Sequence, residues 1–174
     1  MGTGADADNS SAADRLCDEG YAHLEAGRFN EARSNLLGAL AIAPANPLAH
    51  YRLGLLCNDT GRPDEALRYF DATLNLQANN ARAHNNRGSA LQQLSRLPEA
   101  EAAFHKALEL DPKLSPPYVN LGHLLEQRGM REEAIGIYDR AIARAGSRRV
   151  PAIPRRRIRA IAARVSRILG SRNL

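Results

Sequence analysis

Histidine and cysteine are the side chains of this sequence best suited to bind a metal ion or to act as a nucleophile. The spacing of the five histidines matches no zinc motif, and the two cysteines are too few for a disulfide framework. The sequence also lacks a phosphate-binding loop, a dinucleotide fingerprint and a hydrolase nucleophile elbow. We therefore expect no enzymatic activity, no metal site and no cofactor. His50 and His84 lie 34 positions apart, and we interpret them as packing residues.

Side-chain amides form a second group with regular spacing. Asn86 and Asn120 also lie 34 positions apart. If that distance is one structural repeat, the two amides stack in one column on the same surface. An amide offers both a donor and an acceptor, which suits hydrogen bonding to the backbone of a bound peptide. The alternative interpretation is that both amides are simply solvated polar residues.

The spacing of 34 residues runs through most of the chain and indicates internal repeats. It defines four units, at 13–46, 47–80, 81–114 and 115–148, preceded by residues 1–12, which we expect to be disordered. Four columns keep their residue type, or nearly so. They are Gly20, Gly54, Gly88 and Gly122; Glu31, Glu65, Glu99 and Glu133; Ala32, Ala66, Ala100 and Ala134; and Leu40, Leu74, Leu108 and Ile142.

Each unit is predicted to form two short helices joined by a tight turn. Asn46, Asn80 and Ser115 can cap first helices, and Pro98 suits the first turn of a second helix. Glycine inside a helix costs about 0.5–1 kcal/mol relative to alanine, so the glycine column indicates close helix contact. We expect the alanine column of the second helix to make that contact. Because one helix pair cannot bury both of its faces, neighbouring units must stack.

These features resemble the tetratricopeptide repeat (TPR) family over residues 13–148. The resemblance implies an all-α fold, a right-handed superhelical solenoid of helix-turn-helix pairs. The chain departs from the family pattern at two places. Only Tyr118 is a large aromatic residue at the position where the family has one early in the first helix. Arg87 stands where other repeats have a leucine, so its guanidinium must extend to solvent. The residues that carry the resemblance are the glycine and alanine columns with Phe70, Phe104, Tyr138, Ala39, Ala107, Ala141, Pro44 and Pro112.

In the TPR family the first helices line a concave groove that binds peptide segments. The asparagine pair is similar to the ladders in repeats of the O-GlcNAc-transferase and SPINDLY type. Chaperone-binding TPR proteins hold an acidic tail with a clamp that this chain does not match, because Cys17, Tyr21, Arg52, Arg82 and Asn86 stand at its positions. Carried over by repeat position, the groove residues are Tyr21, Tyr51, Arg52, Leu55, Asn58, Asn85, Asn86, Ser89, Asn120 and His123.

The net charge of +5 is unevenly distributed along the chain. All 19 acidic residues lie at or before Asp139, and nine arginines lie between Arg148 and Arg172. Residues 148–174 therefore carry a charge of +9, and the preceding residues carry −4. A negatively charged body gives no reason to expect nucleic acid in the groove. Arginine outnumbers lysine 22 to 2, which is typical of a GC-rich genome and favours a bacterial source.

Residues 149–174 are predicted to form a basic linker and an amphipathic capping helix. Pro154 can open a helix that runs to about Leu169. Ile158, Ile161, Ala162, Val165, Ile168 and Leu169 form one apolar stripe on it. The stripe suits a cap over the open apolar face of the last repeat. The basic residues around it are Arg155, Arg156, Arg157, Arg159, Arg164 and Arg167.

Other ligands for this basic helix remain as alternatives. Basic amphipathic helices bind anionic membrane surfaces, partner-protein grooves and phosphate backbones. The missing aromatic residues disfavour nucleic acid, and the missing Trp and Phe anchors disfavour a membrane. Self-association, in which the tail meets the acidic body of another copy, is a further alternative.

Together these features predict a non-catalytic interaction module or scaffold that binds a peptide segment of a partner protein. The alternatives are a TPR arm of a glycosyltransferase-like system, or an adaptor that uses its basic tail on membrane or nucleic acid. The chain starts without a signal-peptide pattern and has no apolar run of about 18 residues, so we expect a cytoplasmic protein.

Overall fold

The computed structural model describes residues 3–145, and the side chains of residues 10–143, as helices in successive pairs. Each first helix packs on its own second helix, and each second helix packs on the next first helix. The described residues therefore form an all-α solenoid of helical hairpins, which confirms the predicted fold class. The helices are α1 (Thr3–Glu25), α2 (Phe29–Ile42), α3 (Pro47–Asp59), α4 (Pro63–Leu76), α5 (Ala81–Gln93), α6 (Leu97–Leu110), α7 (Ser115–Gln127) and α8 (Arg131–Ala145).

Helix α1 begins ten residues earlier than the predicted first repeat. It starts at Thr3, so residues 3–12 are helical where the sequence predicted disorder. The later part of α1 is held by tertiary packing, since Ala13 and Cys17 are fully buried. Extending an existing helix requires no new nucleus and adds a hydrogen bond for each residue. With no proline in the segment to stop it, the helix continues toward the amino terminus.

Side-chain caps begin two of the first helices as predicted. The Asn46 side chain accepts hydrogen bonds from the backbone N–H groups of Leu48 and Ala49. The Asn80 side chain accepts one from Ala83. The predicted Ser115 cap is wrong, because Ser115 is already the first residue of α7 and Leu114 precedes it without a side-chain hydrogen bond.

The turn inside each pair requires a left-handed backbone conformation at one residue. Three repeats place glycine there, with φ angles of 70° at Gly27, 70° at Gly61 and 78° at Gly129. The third repeat places Ser95 there, with φ of 59°. An L side chain in this region costs roughly 1–2 kcal/mol. Ser95 therefore carries strain that the other three turns avoid.

The glycine column lies against the large residue of the second helix, whose side chain is the nearest neighbour in each repeat. A Cβ atom at Gly54 would lie 2.5 Å from Cε1 of Phe70, and one at Gly88 would lie 2.6 Å from Cε1 of Phe104. Tyr138 stands in the same relation to Gly122. The ring occupies the space a side chain would need, whereas the alanines keep the helix backbones close. At Gly20 the expected alanine also lies close, since a Cβ atom there would be 3.3 Å from the backbone oxygen of Ala32.

An ion pair joins the second and third repeats at the position that departs from the leucine pattern. The Nε of Arg87 on α5 donates to Oδ1 of Asp71 on α4 at 2.6 Å. The Arg87 side chain keeps 27% exposure, which agrees with the expected extension toward solvent. Arg87 thus connects adjacent repeats in place of an apolar contact.

The last described repeat ends in a partly open face. Ile142 on α8 is 41% exposed, although its column partners Leu40, Leu74 and Leu108 are half-buried. The predicted linker and capping helix, with all six arginines named for it, lie outside the described residues. None of the helices within residues 3–145 is long and apolar enough to cross a membrane.

Candidate peptide-binding surface

The first helices of neighbouring repeats contact one another and present a continuous row of side chains. We call this row the first-helix surface. Most of its members are half-buried, and Asn85 is buried with 6% exposure. Half-burial orders a side chain while leaving an accessible polar group. Contacts between first helices involve eight of the ten predicted residues, whereas Leu55 packs against the core clusters and His123 against Tyr138 of α8. The eight are Tyr21, Tyr51, Arg52, Asn58, Asn85, Asn86, Ser89 and Asn120.

A hydrogen-bonded chain of side chains crosses three repeats at the centre of this surface. Nδ2 of Asn86 donates to the Tyr51 hydroxyl at 2.9 Å, and Nδ2 of Asn85 donates to Oδ1 of Asn86 at 3.0 Å. Nδ2 of Asn120 donates to Oδ1 of Asn85 at 3.0 Å and to Oγ of Ser89 at 3.2 Å. Such a network holds each amide in one orientation.

The network differs from the predicted asparagine column. Asn86 and Asn120 do not bond to each other; Asn85 lies between them and bonds both. Each first helix is offset against its predecessor, so the residue one position earlier in the preceding helix becomes the partner. The paired positions are therefore Asn86 with Tyr51, and Asn120 with Asn85.

The network leaves a defined donor and a defined acceptor for a ligand. Both donor directions of Asn120 are used, so its Oδ1 remains as an acceptor. Asn86 uses one N–H and its oxygen, so its second N–H remains as a donor. Within the described residues these two groups have no partner, and a peptide backbone offers an N–H and a C=O that could bond them.

The amino-terminal end of the surface is aromatic and charged. The Arg52 guanidinium lies 4.9 Å from the centre of the Tyr21 ring and 2.9 Å from Oδ1 of Asp18. Burial raises the pKa of the Tyr51 hydroxyl, and the positive charge of Arg82 partly opposes this. Tyr51 therefore stays neutral over a wide pH range and keeps a proton to donate.

The carboxyl-terminal end is rich in amides and paired across repeats. Nε2 of Gln93 donates to Oδ1 of Asn58 at 2.7 Å, and Nε2 of Gln92 donates to Oε1 of Gln127 at 2.8 Å. The His123 ring lies edge-on to Tyr138 with centroids 6.2 Å apart. These contacts order the remaining predicted residues at this end.

Three first-helix side chains fasten the turns between repeats, which the sequence analysis missed. Nε2 of His50 lies 2.9 Å from the backbone oxygen of Pro44, and Nε2 of His84 lies 2.9 Å from that of Ala78. A carbonyl oxygen can only accept, so both imidazoles donate. The Tyr118 hydroxyl donates to the Pro112 oxygen at 3.1 Å. The sequence spacing could have indicated these bonds. The donors His50, His84 and Tyr118 lie 34 residues apart, and so do the residues whose carbonyl groups accept, Pro44, Ala78 and Pro112.

Metal-binding and nucleophilic groups are scattered over the structure. No group of three or more His, Cys, Asp or Glu residues within the described part could hold a metal ion. Cys17 and Cys57 are free and buried, and burial raises the pKa of both thiols. The rings of His50 and His84 each bond the turn before their own helix, as described above.

Sequence comparison identifies the repeats. Three family models, each described as tetratricopeptide repeat, match residues 23–94, 81–114 and 118–150. No curated protein sequence gives a significant match to the chain.

Comparison with solved structures finds the same fold. A crystal structure of MamA has a TM-score of 0.71 at 20% identity, covering 78% of this chain and 79% of that one. PilF of Pseudomonas aeruginosa has a TM-score of 0.73 at 25% identity, covering 80% of this chain and 64% of that one. The first TPR of Spaghetti (RPAP3), bound to the HSP90 peptide SRMEEVD, has a TM-score of 0.66 at 21% identity, covering 69% and 95%. With these matches and the helical hairpins at a spacing of 34 residues, the chain belongs to the tetratricopeptide repeat family.

Proposed function

We propose that this protein is a non-catalytic interaction module that holds an extended segment of a partner protein on its first-helix surface. The hydrogen-bonded network from Tyr51 to Asn120 is the observation that carries the proposal. Amides held in place before binding lose little side-chain entropy when a ligand arrives, so more of the interaction energy appears as affinity.

The chemistry of the surface suggests how the segment is held. The remaining acceptor of Asn120 and donor of Asn86 would bond its backbone, independently of its sequence. Tyr21, Tyr51 and Leu55 would contact apolar side chains at the amino-terminal end. Arg52 is engaged with Asp18, and its side chain is 14% exposed, so it contributes mainly to the shape of this end.

The RPAP3 repeat likeness supports a peptide as the ligand class, because that structure contains one. The likeness gives no reason to expect binding of the SRMEEVD sequence itself, because it rests on 21% identity. In addition, Cys17, Tyr21 and Asn86 stand at positions of the chaperone-binding clamp, which this chain does not match. The proposal therefore names an extended segment without an obligatory acidic carboxyl terminus.

The proposal is tested by selecting binders from a random peptide library on the wild-type protein and titrating one selected peptide by calorimetry. The Asn86→Ala/Asn120→Ala variant should bind it about tenfold or more weakly, because each lost hydrogen bond contributes roughly 1 kcal/mol. Asn75→Ala is the matched control, since Asn75 is exposed on α4, away from the first-helix surface. Equal affinity of all three proteins would refute the groove assignment.

A further inference from the structure

The open face of α8 has the shape of a docking site for one more first helix. Leu40 packs against clusters that contain Ala49 and Leu53 of the following first helix. Ile142 occupies the same column of the last repeat and is 41% exposed. The face marked by Ile142 is therefore the place where a further first helix would lie.

The second repeat shows which side of a first helix faces the preceding repeat. Ala49, Leu53 and Leu56 pack into clusters with residues of the first repeat. Counted from Pro47, the first residue of α3, these are positions 3, 7 and 10. A helix that docks on a preceding repeat must therefore be apolar at these positions.

The same helix shows which side faces its own second helix. His50 contacts Tyr69, and a side chain at Gly54 would meet Phe70. Cys57 shares a cluster with Phe70. Counted in the same way, these are positions 4, 8 and 11. A helix without a second helix of its own needs no large apolar residue there.

We propose that residues 156–169 of this chain dock on the open face of α8 as a fifth first helix. With Arg156 placed at position 1, Ile158, Ala162 and Val165 fall at positions 3, 7 and 10. Positions 4, 8 and 11 are then Arg159, Ala163 and Ser166, which carry no large apolar side chain. This register directs three apolar residues toward α8, and Ile161 falls at position 6, where α3 has Arg52.

The connection and the charges favour this occupant. Residues 146–155 join α8 to the segment, whereas residues 43–46 join α2 to α3. Each doubling of a flexible loop costs only about 0.6 kcal/mol, so the longer connection is a minor penalty. Residues 148–174 carry +9 and no acid, while the preceding residues as a whole carry −4. Charge complementarity therefore adds to apolar burial.

Docking in this register would extend the first-helix surface with a basic end. Arg157, Arg164 and Arg167 fall at positions 2, 9 and 12. The second repeat has Leu48, Leu55 and Asn58 at these positions, and Asn58 belongs to the first-helix surface. The preferred partner segment would then be acidic where it passes the last repeat. This consequence rests on the proposed peptide-binding function, whereas the docking itself does not.

Disulfide trapping in the full chain tests the docking and its register. Ile142→Cys combined with Ala162→Cys should form an intramolecular disulfide under mild oxidation, because position 7 faces the column of Ile142. Ile142→Cys with Ala163→Cys is the matched control, since the adjacent alanine lies at position 8. Disulfide geometry requires Cα atoms within about 7 Å, so the first pair should form at least about tenfold faster. Peptide mass mapping separates these products from Cys17 and Cys57, both of which are buried.

The outcomes distinguish the occupants. Equal rates for the two pairs, or no intramolecular product, would overturn the docking. A product that is mainly intermolecular and grows with protein concentration would assign the face to a second copy, and so would overturn it too. Phosphatidylserine vesicles should leave the intramolecular rate unchanged; its loss would show that the segment prefers a lipid surface.

The basic end is tested separately by peptide selection on the wild type and on the Arg157→Ala/Arg164→Ala/Arg167→Ala variant. Peptides selected on the wild type should be enriched in Asp and Glu, and the triple variant should lose that enrichment. If no peptide binds the wild type, the proposed function fails while the trapping result still decides the docking. If the peptides bound by the wild type are not enriched in Asp and Glu, the proposal that the docked helix selects acidic segments is refuted.

Discussion

A side chain at Gly88 would collide with the ring of Phe104: a Cβ atom built there lies 2.6 Å from Cε1 of that ring. Phe104 is fully buried, so the ring has no free space into which it could move. The pair shows how the repeat is assembled, because a small residue on the first helix receives a large one from the second.

Replacing Gly88 by alanine should destabilise the protein by about 1–3 kcal/mol, because overpacking a filled core forces side chains from their rotamers. Gly136→Ala is the matched control. Gly136 lies inside α8 with no atom near its Cβ position, so that change should stabilise by roughly 0.5–1 kcal/mol. Urea denaturation measures both. A Gly88→Ala protein as stable as the wild type would contradict the packing described here.

Ser95→Gly should stabilise the protein by up to about 1 kcal/mol, since it removes the strain of a positive φ but adds freedom to the unfolded chain. Gly61→Ala should have the opposite effect of similar size. No atom lies near the Cβ position of Gly61, so backbone strain alone would act there. Thermal unfolding of the two variants should shift the midpoint in opposite directions, and a shift in the same direction would show that φ is not the cause.

His84→Tyr should retain the hydrogen bond to the backbone oxygen of Ala78 in the turn between repeats, because Tyr118 makes the equivalent bond to Pro112. His84→Phe keeps the ring but removes the donor, and it should be less stable than His84→Tyr by about 1 kcal/mol. Urea denaturation at pH 8 measures the difference. Identical stabilities would mean that the ring contributes by packing alone.

The buried thiols should make the protein less stable at alkaline pH. Burial raises the pKa of Cys17 and Cys57 in the folded state. A thiol whose pKa is higher in the folded state than in the unfolded state stabilises the fold. This contribution is fully present below the unfolded pKa, and it is lost as the pH rises through the folded pKa. The free energy of unfolding should therefore fall as the pH rises above about 8.5, the ordinary thiol pKa.

The Cys17→Ala/Cys57→Ala variant should show a smaller fall over the same pH range. A disulfide-exchange reagent should also react slowly with both thiols in the native protein and fully in urea, because they are buried. Rapid native reaction, or an unchanged pH slope in the variant, would contradict this prediction.

Several contacts of the candidate site could be anticipated in part. The repeat position of Tyr51, Asn86 and Asn120 was enough to place them on one surface, because side chains at the same position of stacked repeats share an environment. Their hydrogen-bond partners could not be derived in that way. A shift of one residue between neighbouring helices decides whether Asn120 meets Asn86 or Asn85, and spacing along the chain contains no information about that shift.

The sequence by itself determined the number of helices in each repeat, their approximate bounds and the turns, because caps, prolines and glycines act within a few residues. Gly61 and Asn80 are examples, since their roles are local. Only the tertiary structure decided that Gly54 receives Phe70 and that Arg87 pairs with Asp71. Such contacts depend on the distance and rotation between packed helices, which arise from the fit of all their side chains together.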